Sequence, residues 1–304
     1  MRIFVFSMLL VLSFIVRADD GVFTNIDVFE LEYATDPQIS PDGSTVAYVR
    51  TSMDIMTDRA VPNIWQVDVS GDNHRPLLSG TGRYSSPRWS PAGDRLAYVS
   101  RVDGRGAQLH VRWLDTGQTA LISNVRHSPE AISWSPDGKQ LAFVMFVPDE
   151  NEPFVKPPEA PDGARWAPGA KVIETMPYRS DGEGYLETGH EHVFVVPADG
   201  GTPRQLTSGD FNHRGPLAWM PDGTRIVVTA NRLDDAEHHP VESELWSVHV
   251  ADGTMQQLTD RRGPDRGAAV SPDGRRIAYL GFDDRKLAWQ SADVYVMDVK
   301  TGDS

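Results

Sequence analysis

The chain has 304 residues, 43 acidic against 29 basic side chains for a net charge of −14, and no cysteine. That length allows one large domain or two ordinary ones with a substantial buried core. The charge argues against nucleic acid and anionic membrane surfaces as partners, and the lack of thiols excludes disulfides, a cysteine nucleophile and cysteine-ligated zinc.

In chain order, the opening stretch MRIFVFSMLLVLSFIVRADD puts Arg2 before an apolar run from Ile3 to Val16, with Val16 and Ala18 at the small-residue positions of a cleavage site. Residues 1–18 therefore read as a secretory signal peptide, since the run is shorter than the roughly 20 residues that span a bilayer. Its removal leaves 27 basic against 43 acidic groups, a balance of −16. No later segment is apolar enough to cross a membrane, so the expected location is periplasmic or secreted, without membrane contact after cleavage.

A lead-in over 19–36 is followed by ISPDGSTVAYV at residues 39–49, which returns as WSPAGDRLAYV, WSPDGKQLAFV, WMPDGTRIVVT and VSPDGRRIAYL. Aligned on Gly43, Gly93, Gly138, Gly223 and Gly274, the copies are spaced by 50, 45, 85 and 51 residues, a period that indicates a repeat architecture. Three positions after each glycine comes an aliphatic residue (Val46, Leu96, Leu141, Ile226, Ile277), then a small or β-branched one, then a ring in four of the five copies. Consecutive apolar residues point to opposite faces of a strand, so this strand is expected to be buried on both sides. Pro-Asp-Gly supplies the turn that opens each hairpin.

About 20 to 25 residues further on a third strand recurs (NIWQVDVSG, QLHVRWLDTG, HVFVVPADGG, ELWSVHVADG, DVYVMDVKTG), and four times a short fourth one follows (RPLLSG, TALISN, PRQLTSG, MQQLTD). Four antiparallel strands per unit of this length predict an all-β chain built of propeller blades over 37–304. Just under five blades are present. Five-bladed closure lies within the usual range of roughly four to eight blades, but an end inside a repeat fits an incomplete propeller better. Trp65, Trp89, Trp134, Trp219 and Trp246 recur at equivalent places and are assigned to packing between blades.

Site chemistry is sparse. No Gly-x-Ser-x-Gly elbow, phosphate loop or dinucleotide fingerprint occurs, so no catalytic residue and no cofactor is assigned. His190 and His192 alternate along a strand and face apart, and His238 and His239 fall in a polar loop, so no metal site is assigned either. The exception is the interval of 85. Gly138 to His192 takes 54 residues, so about 35 extra residues lie within 147–189 of blade three. Its second half, MPYRSDGEGYLETG, groups Tyr178, Arg179, Asp181, Glu183 and Tyr185 around two glycines. Aromatics with arginine are the composition of recognition surfaces, and these five are the candidate substrate-binding residues. The competing reading is a solvated hairpin tip on which Arg179 pairs with Asp181 or Glu183.

The run DVFELEYATDPQISPDGSTVAYVR, the SPDG hairpins, HVFVVPADGGTPRQLTSGDFNHRGPLAWMPDG and the MPYRSDGEGYL insertion together resemble the amino-terminal propeller of exported prolyl-oligopeptidase-family serine peptidases. The nearest branch is the bacterial acylaminoacyl-peptidase and dipeptidyl-aminopeptidase-like enzymes, and the resemblance covers essentially all residues after the signal. It implies a seven- or eight-bladed propeller that precedes an α/β-hydrolase domain carrying a Ser, Asp and His triad and screens access so that short peptides are cut. The chain stops inside its fifth blade, before any hydrolase domain, so no triad residue carries over and the chain alone is expected to be inactive. In the intact parent the partners would be short peptides and the C-terminal α/β-hydrolase domain, with the insertion projecting toward that domain. The alternative is a non-catalytic periplasmic propeller that binds a protein partner, since the propeller of the Tol system has similar hairpins.

Overall fold

The computed structural model describes residues 23–101, 106–149, 158–167 and 171–304, so the expected signal peptide lies outside the described residues. The repeated turn closes on itself. In blade one the Ser40 hydroxyl donates to Asp42 at 2.6 Å and accepts the amide of Thr45 at 2.9 Å, while Asp42 also takes the Ser44 amide at 3.1 Å. Ser135 with Asp137 and Ser271 with Asp273 repeat these bonds. In blade two Ala92 stands where the others have aspartate, and Asp94 accepts from Ser90 at 2.7 Å instead. Glycine at φ near 70° completes each turn, a conformation other residues resist.

These hairpins open four antiparallel meanders and a fifth of three strands. Blade one is β1 (Tyr33–Ile39), β2 (Thr45–Asp54), β3 (Arg59–Asp68) and β4 (Arg75–Leu78), preceded by a 3-10 turn at Asp27–Glu30. Its first strand thus starts at Tyr33, inside the expected lead-in. Blade two is β5 (Arg83–Trp89), β6 (Arg95–Arg101), β7 (Gln108–Trp113) and β8 (Thr119–Leu121). Blade three is β9 (Glu130–Trp134), β10 (Gln140–Pro148), β13 (Gly189–Pro197) and β14 (Arg204–Gln205), with a small hairpin of β11 (Arg179–Ser180) and β12 (Gly184–Tyr185) inside its insertion. Blade four is β15 (His213–Trp219), β16 (Arg225–Ala230), β17 (Glu244–His249) and β18 (Met255–Gln257), and blade five is β19 (Asp265–Val270), β20 (Arg276–Gly281) and β21 (Asp293–Asp298).

Successive first strands touch one another, β1 with β5, β5 with β9, β9 with β15 and β15 with β19, so they form the inner wall and the fourth strands the rim. The second strand is buried on both sides as its sequence predicts. Leu96, Ala97 and Tyr98, or Leu141, Ala142 and Phe143, are all buried, and their alternate residues feed the clusters on either side of the blade. The tryptophans also work between blades. The Trp89 indole donates to the Gln38 carbonyl of blade one, and Trp134 donates to Arg88 of blade two, both at 2.9 Å.

A meander puts its two kinds of connection at opposite ends. First-to-second and third-to-fourth turns define a turn face, and second-to-third loops with the blade-to-blade crossovers define a loop face. The side of β20 and β21 that points away from blade four is open. Leu280 and Val294 there are 41% and 70% exposed, whereas Val49, Val99 and Val144, which match Leu280 in earlier blades, are buried under the next blade.

Candidate functional site

The insertion rises from the loop face on a long ladder. β10 and β13 pair from Gln140↔Pro197 to Pro148↔Gly189, and the Asp149 amide donates to Thr188 at 3.0 Å to close the root. Beyond it, β11 and β12 pair as Arg179↔Tyr185 and Ser180↔Gly184 around Asp181, Gly182 and Glu183. Both glycines have positive φ, so the chain reverses within a few residues, and the Leu186 amide donates to the Tyr178 carbonyl at 2.9 Å.

All five sequence-predicted residues sit on or beside this one hairpin. The rings of Tyr178 and Tyr185 meet at a tilt of 37° with centroids 6.3 Å apart, and the Lys171 ammonium lies 3.9 Å above Tyr185. Arg179 is exposed, and among the described residues no carboxylate lies within ion-pairing distance of it, so the pairing with Asp181 or Glu183 does not form. Glu183 leans over the start of β9. It is one of the charges that push the Glu130 carboxyl above its ordinary range, after desolvation and Glu191, with Arg214 opposing. Arg214 in turn donates to Glu191 at 2.6 Å.

Nothing in the residue pattern marks how the insertion is anchored. The Met176 amide donates to Glu237 at 3.1 Å, and Glu237 belongs to the 3-10 turn Ala236–His238 in the second-to-third loop of blade four. The rim of the site is therefore shared between two blades. His190 faces Asp149 at 3.6 Å and His192 is buried; two residues apart on the unbroken ladder of β13, they share one face of the strand, which corrects the expectation that they face apart. Among the described residues no three His, Cys, Asp or Glu side chains gather as a metal site, and no helix is long and apolar enough to cross a membrane. What the hairpin offers chemically is binding: two aromatic walls with hydroxyls, an uncommitted guanidinium and a carboxylate rim.

The fold is that of a β-propeller in which the strands of each blade are laid down from the inside outward. Residues 57–157 match the TolB β-propeller domain model, and residues 170–302 match the model described as the acylaminoacyl-peptidase N-terminal β-propeller domain. The chain is 28% identical over 217 residues to the uncharacterized peptidase YuxL of Bacillus subtilis, covering 71% of this chain and 32% of that protein. It is 24% identical to dipeptidyl-peptidase 5 of Porphyromonas endodontalis, with 81% and 36% covered. Among solved structures, the acylaminoacyl peptidase of Pyrococcus horikoshii superposes with a TM-score of 0.66 at 20% identity, over 88% of this chain and 38% of that one. The chain is thus similar over residues 170–302 to the amino-terminal propeller of acylaminoacyl peptidases, and it spans about a third of the length of the curated relatives it matches.

Proposed function

We propose that this chain is the substrate-gating propeller of an exported serine peptidase that hydrolyses short peptides, and that its loop face is turned toward the catalytic domain. The observation that carries the reading is the hairpin on that face, where Arg179, without an ion pair among the described residues, follows Tyr178 and pairs across the strands with Tyr185. A guanidinium free of partners can give planar, charge-assisted bonds to a peptide carbonyl or carboxylate. Asp181 and Glu183 suit a peptide amino terminus, which favours removal of residues from that end.

The most exposed apolar side chains favour the same orientation, although Ile39 and Val69 at the turn face are 66% and 65% exposed. Met56, Val172 and Trp289, which are 87%, 76% and 80% exposed, all belong to second-to-third loops, as do Tyr178 and Tyr185. Exposed apolar groups gathered on one side mark a surface that meets another body. Catalysis itself belongs to a hydrolase domain outside this chain. Incubating the chain with a fluorophosphonate serine probe tests that division, with no stoichiometric labelling expected. Labelling at one site per chain would overturn it.

The TolB-type match over 57–157 favours a second reading, a propeller that binds a protein partner without catalysis. A downstream Gly-x-Ser-x-Gly in the same reading frame decides for the peptidase, and its absence decides for the binding module.

A further inference from the structure

The third strands begin with a repeated device. The hydroxyl that follows the fourth strand accepts the amide of the third strand's next residue, Ser123 from Leu109 at 3.0 Å, Thr207 from Val193 at 3.0 Å and Thr259 from Leu245 at 2.9 Å. The same hydroxyl also meets the side chain that precedes that residue, which is Gln108 in blade two, His192 in blade three and Glu244 in blade four. In blades three and four this position is titratable, and the first strand of the following blade brings a like group against it. His192 meets His213, the first residue of β15, with ring centroids 5.4 Å apart. Glu244 meets Asp265, the first residue of β19, and the Thr259 hydroxyl donates to Glu244.

Blade four is therefore hung between two joints of opposite chemistry. At the joint to blade three, His213 is fully buried, and its Nε2 accepts from Arg232 at 2.8 Å, so the ring is neutral beside a guanidinium. Arg232 is held over Phe211 and Trp246, and His190, Asp149 and Asp210 also act on His192. At the joint to blade five, Asp265 is fully buried and ion-paired through one oxygen to Arg261, while its other oxygen has no partner among the described residues. Arg261 lies 3.8 Å over Tyr295 and also faces Asp283 and Tyr279, and Asp260 and Glu242 add negative charge around Glu244. The Thr259 hydroxyl gives its one hydrogen to Glu244 and the second oxygen of Asp265 is left without a donor, so the joint closes fully only when one of the two carboxyls carries a proton.

We propose that these joints are opposed proton-driven latches, the imidazole pair releasing one side of blade four in acid and the carboxyl pair releasing the other toward neutrality. Burial, then His192 and Arg232, lower the His213 pKa to about 4 from 6.5, so that joint's stability is present above pH 6.5 and is lost as pH falls toward 4. Burial raises the Glu244 pKa to about 7 from 4.5, with Asp265 adding to it, so that joint's stability is present below pH 4.5 and is lost as pH rises to 7. A pH change in this window moves slack from one side of blade four to the other, and blade four carries the Glu237 that anchors the insertion. The latches do not depend on the peptidase reading.

Hydrogen exchange with mass spectrometry on the 304-residue chain, corrected for the intrinsic pH dependence of exchange, tests this directly. Between pH 5 and pH 7 the opening constant of segments reporting Val193 and β15 should fall at least tenfold, and that of segments reporting Leu245 and β19 should rise at least tenfold. Glu244→Gln, which copies Gln108 of blade two, should flatten the second response and leave the first. Responses of the same sign at both joints, flat responses, or an unaltered β19 response in Glu244→Gln each overturn the proposal. The wild-type profiles decide it by themselves if the variant does not fold.

Discussion

The turn face and the loop face are built from the same chain by opposite rules. On the turn face, the repeated set of turn hydroxyls and carboxylates is satisfied within one blade. Ser135, Asp137 and the amide of Gln140 form a closed set, and where Ala92 removes the aspartate, Asp94 restores it. Where that face reaches across blades its groups are committed too, since Arg88 of blade two grips both oxygens of Asp36 of blade one at 2.8 and 2.9 Å beside a cleft of ≈ 440 Å³. On the loop face, polar groups are shared between blades or left open. Glu237 holds the insertion of another blade, Arg179 has no ion pair among the described residues, and large apolar side chains face solvent. The repeat spends its regularity on closing one face, and recognition chemistry gathers where the regularity is broken.

The largest expected effect that sharpens this contrast is in the second strands that both faces rest on. Leu141→Ala empties a fully buried position and should lower unfolding stability by about 2–5 kcal/mol, read by chemical denaturation. Val172→Ala in the exposed insertion should change it by less than about 0.5 kcal/mol, and equal losses would break the distinction. A smaller loss, about 1–2 kcal/mol, is expected for Ser135→Ala, which leaves a turn amide and Asp137 without their buried partner.

Acid should act on the turn face as a set. Hydrogen bonds from serine and threonine hydroxyls and backbone amides hold Asp42, Asp137, Asp222 and Asp273 below the usual carboxylate range. Their contribution is present above pH 3.8 and fades as pH falls through the lowered values, so turn-face amides should lose exchange protection below pH 3.8. Protection that stays constant down to pH 2.5 would remove this part of the account.

Much of the fold was legible in the residues. The glycine spacing gave the blades, the apolar triplets gave strands buried on both sides, and the equivalent tryptophans gave inter-blade packing, because each of these signals is local and repeated. The candidate hairpin was legible from its composition and its departure from the period. Its anchor was not, since Glu237 lies 61 residues from Met176 on another blade and carries no pattern of its own. The joints around blade four left a faint trace in the Leu-Ser, Ile-Ser and Leu-Thr pairs that end the fourth strands. Reading them requires aligning third strands as well as turns, and then knowing which first strand lies against which third strand. Chain topology supplies that pairing, and local sequence does not.

The smallest structural perturbation bears on the central claim. In a longer form of this protein that carries its hydrolase domain, Arg179→Ala removes an exposed side chain with no ion pair among the described residues, so melting temperature should stay the same. If the loop-face hairpin holds the substrate, kcat/KM for short peptides should fall by roughly tenfold or more, the loss of about 1.5–3 kcal/mol that a charge-assisted contact supplies. A kcat/KM within about twofold of the unaltered enzyme, under roughly 0.4 kcal/mol, would contradict the assignment of the loop face as the substrate-facing side.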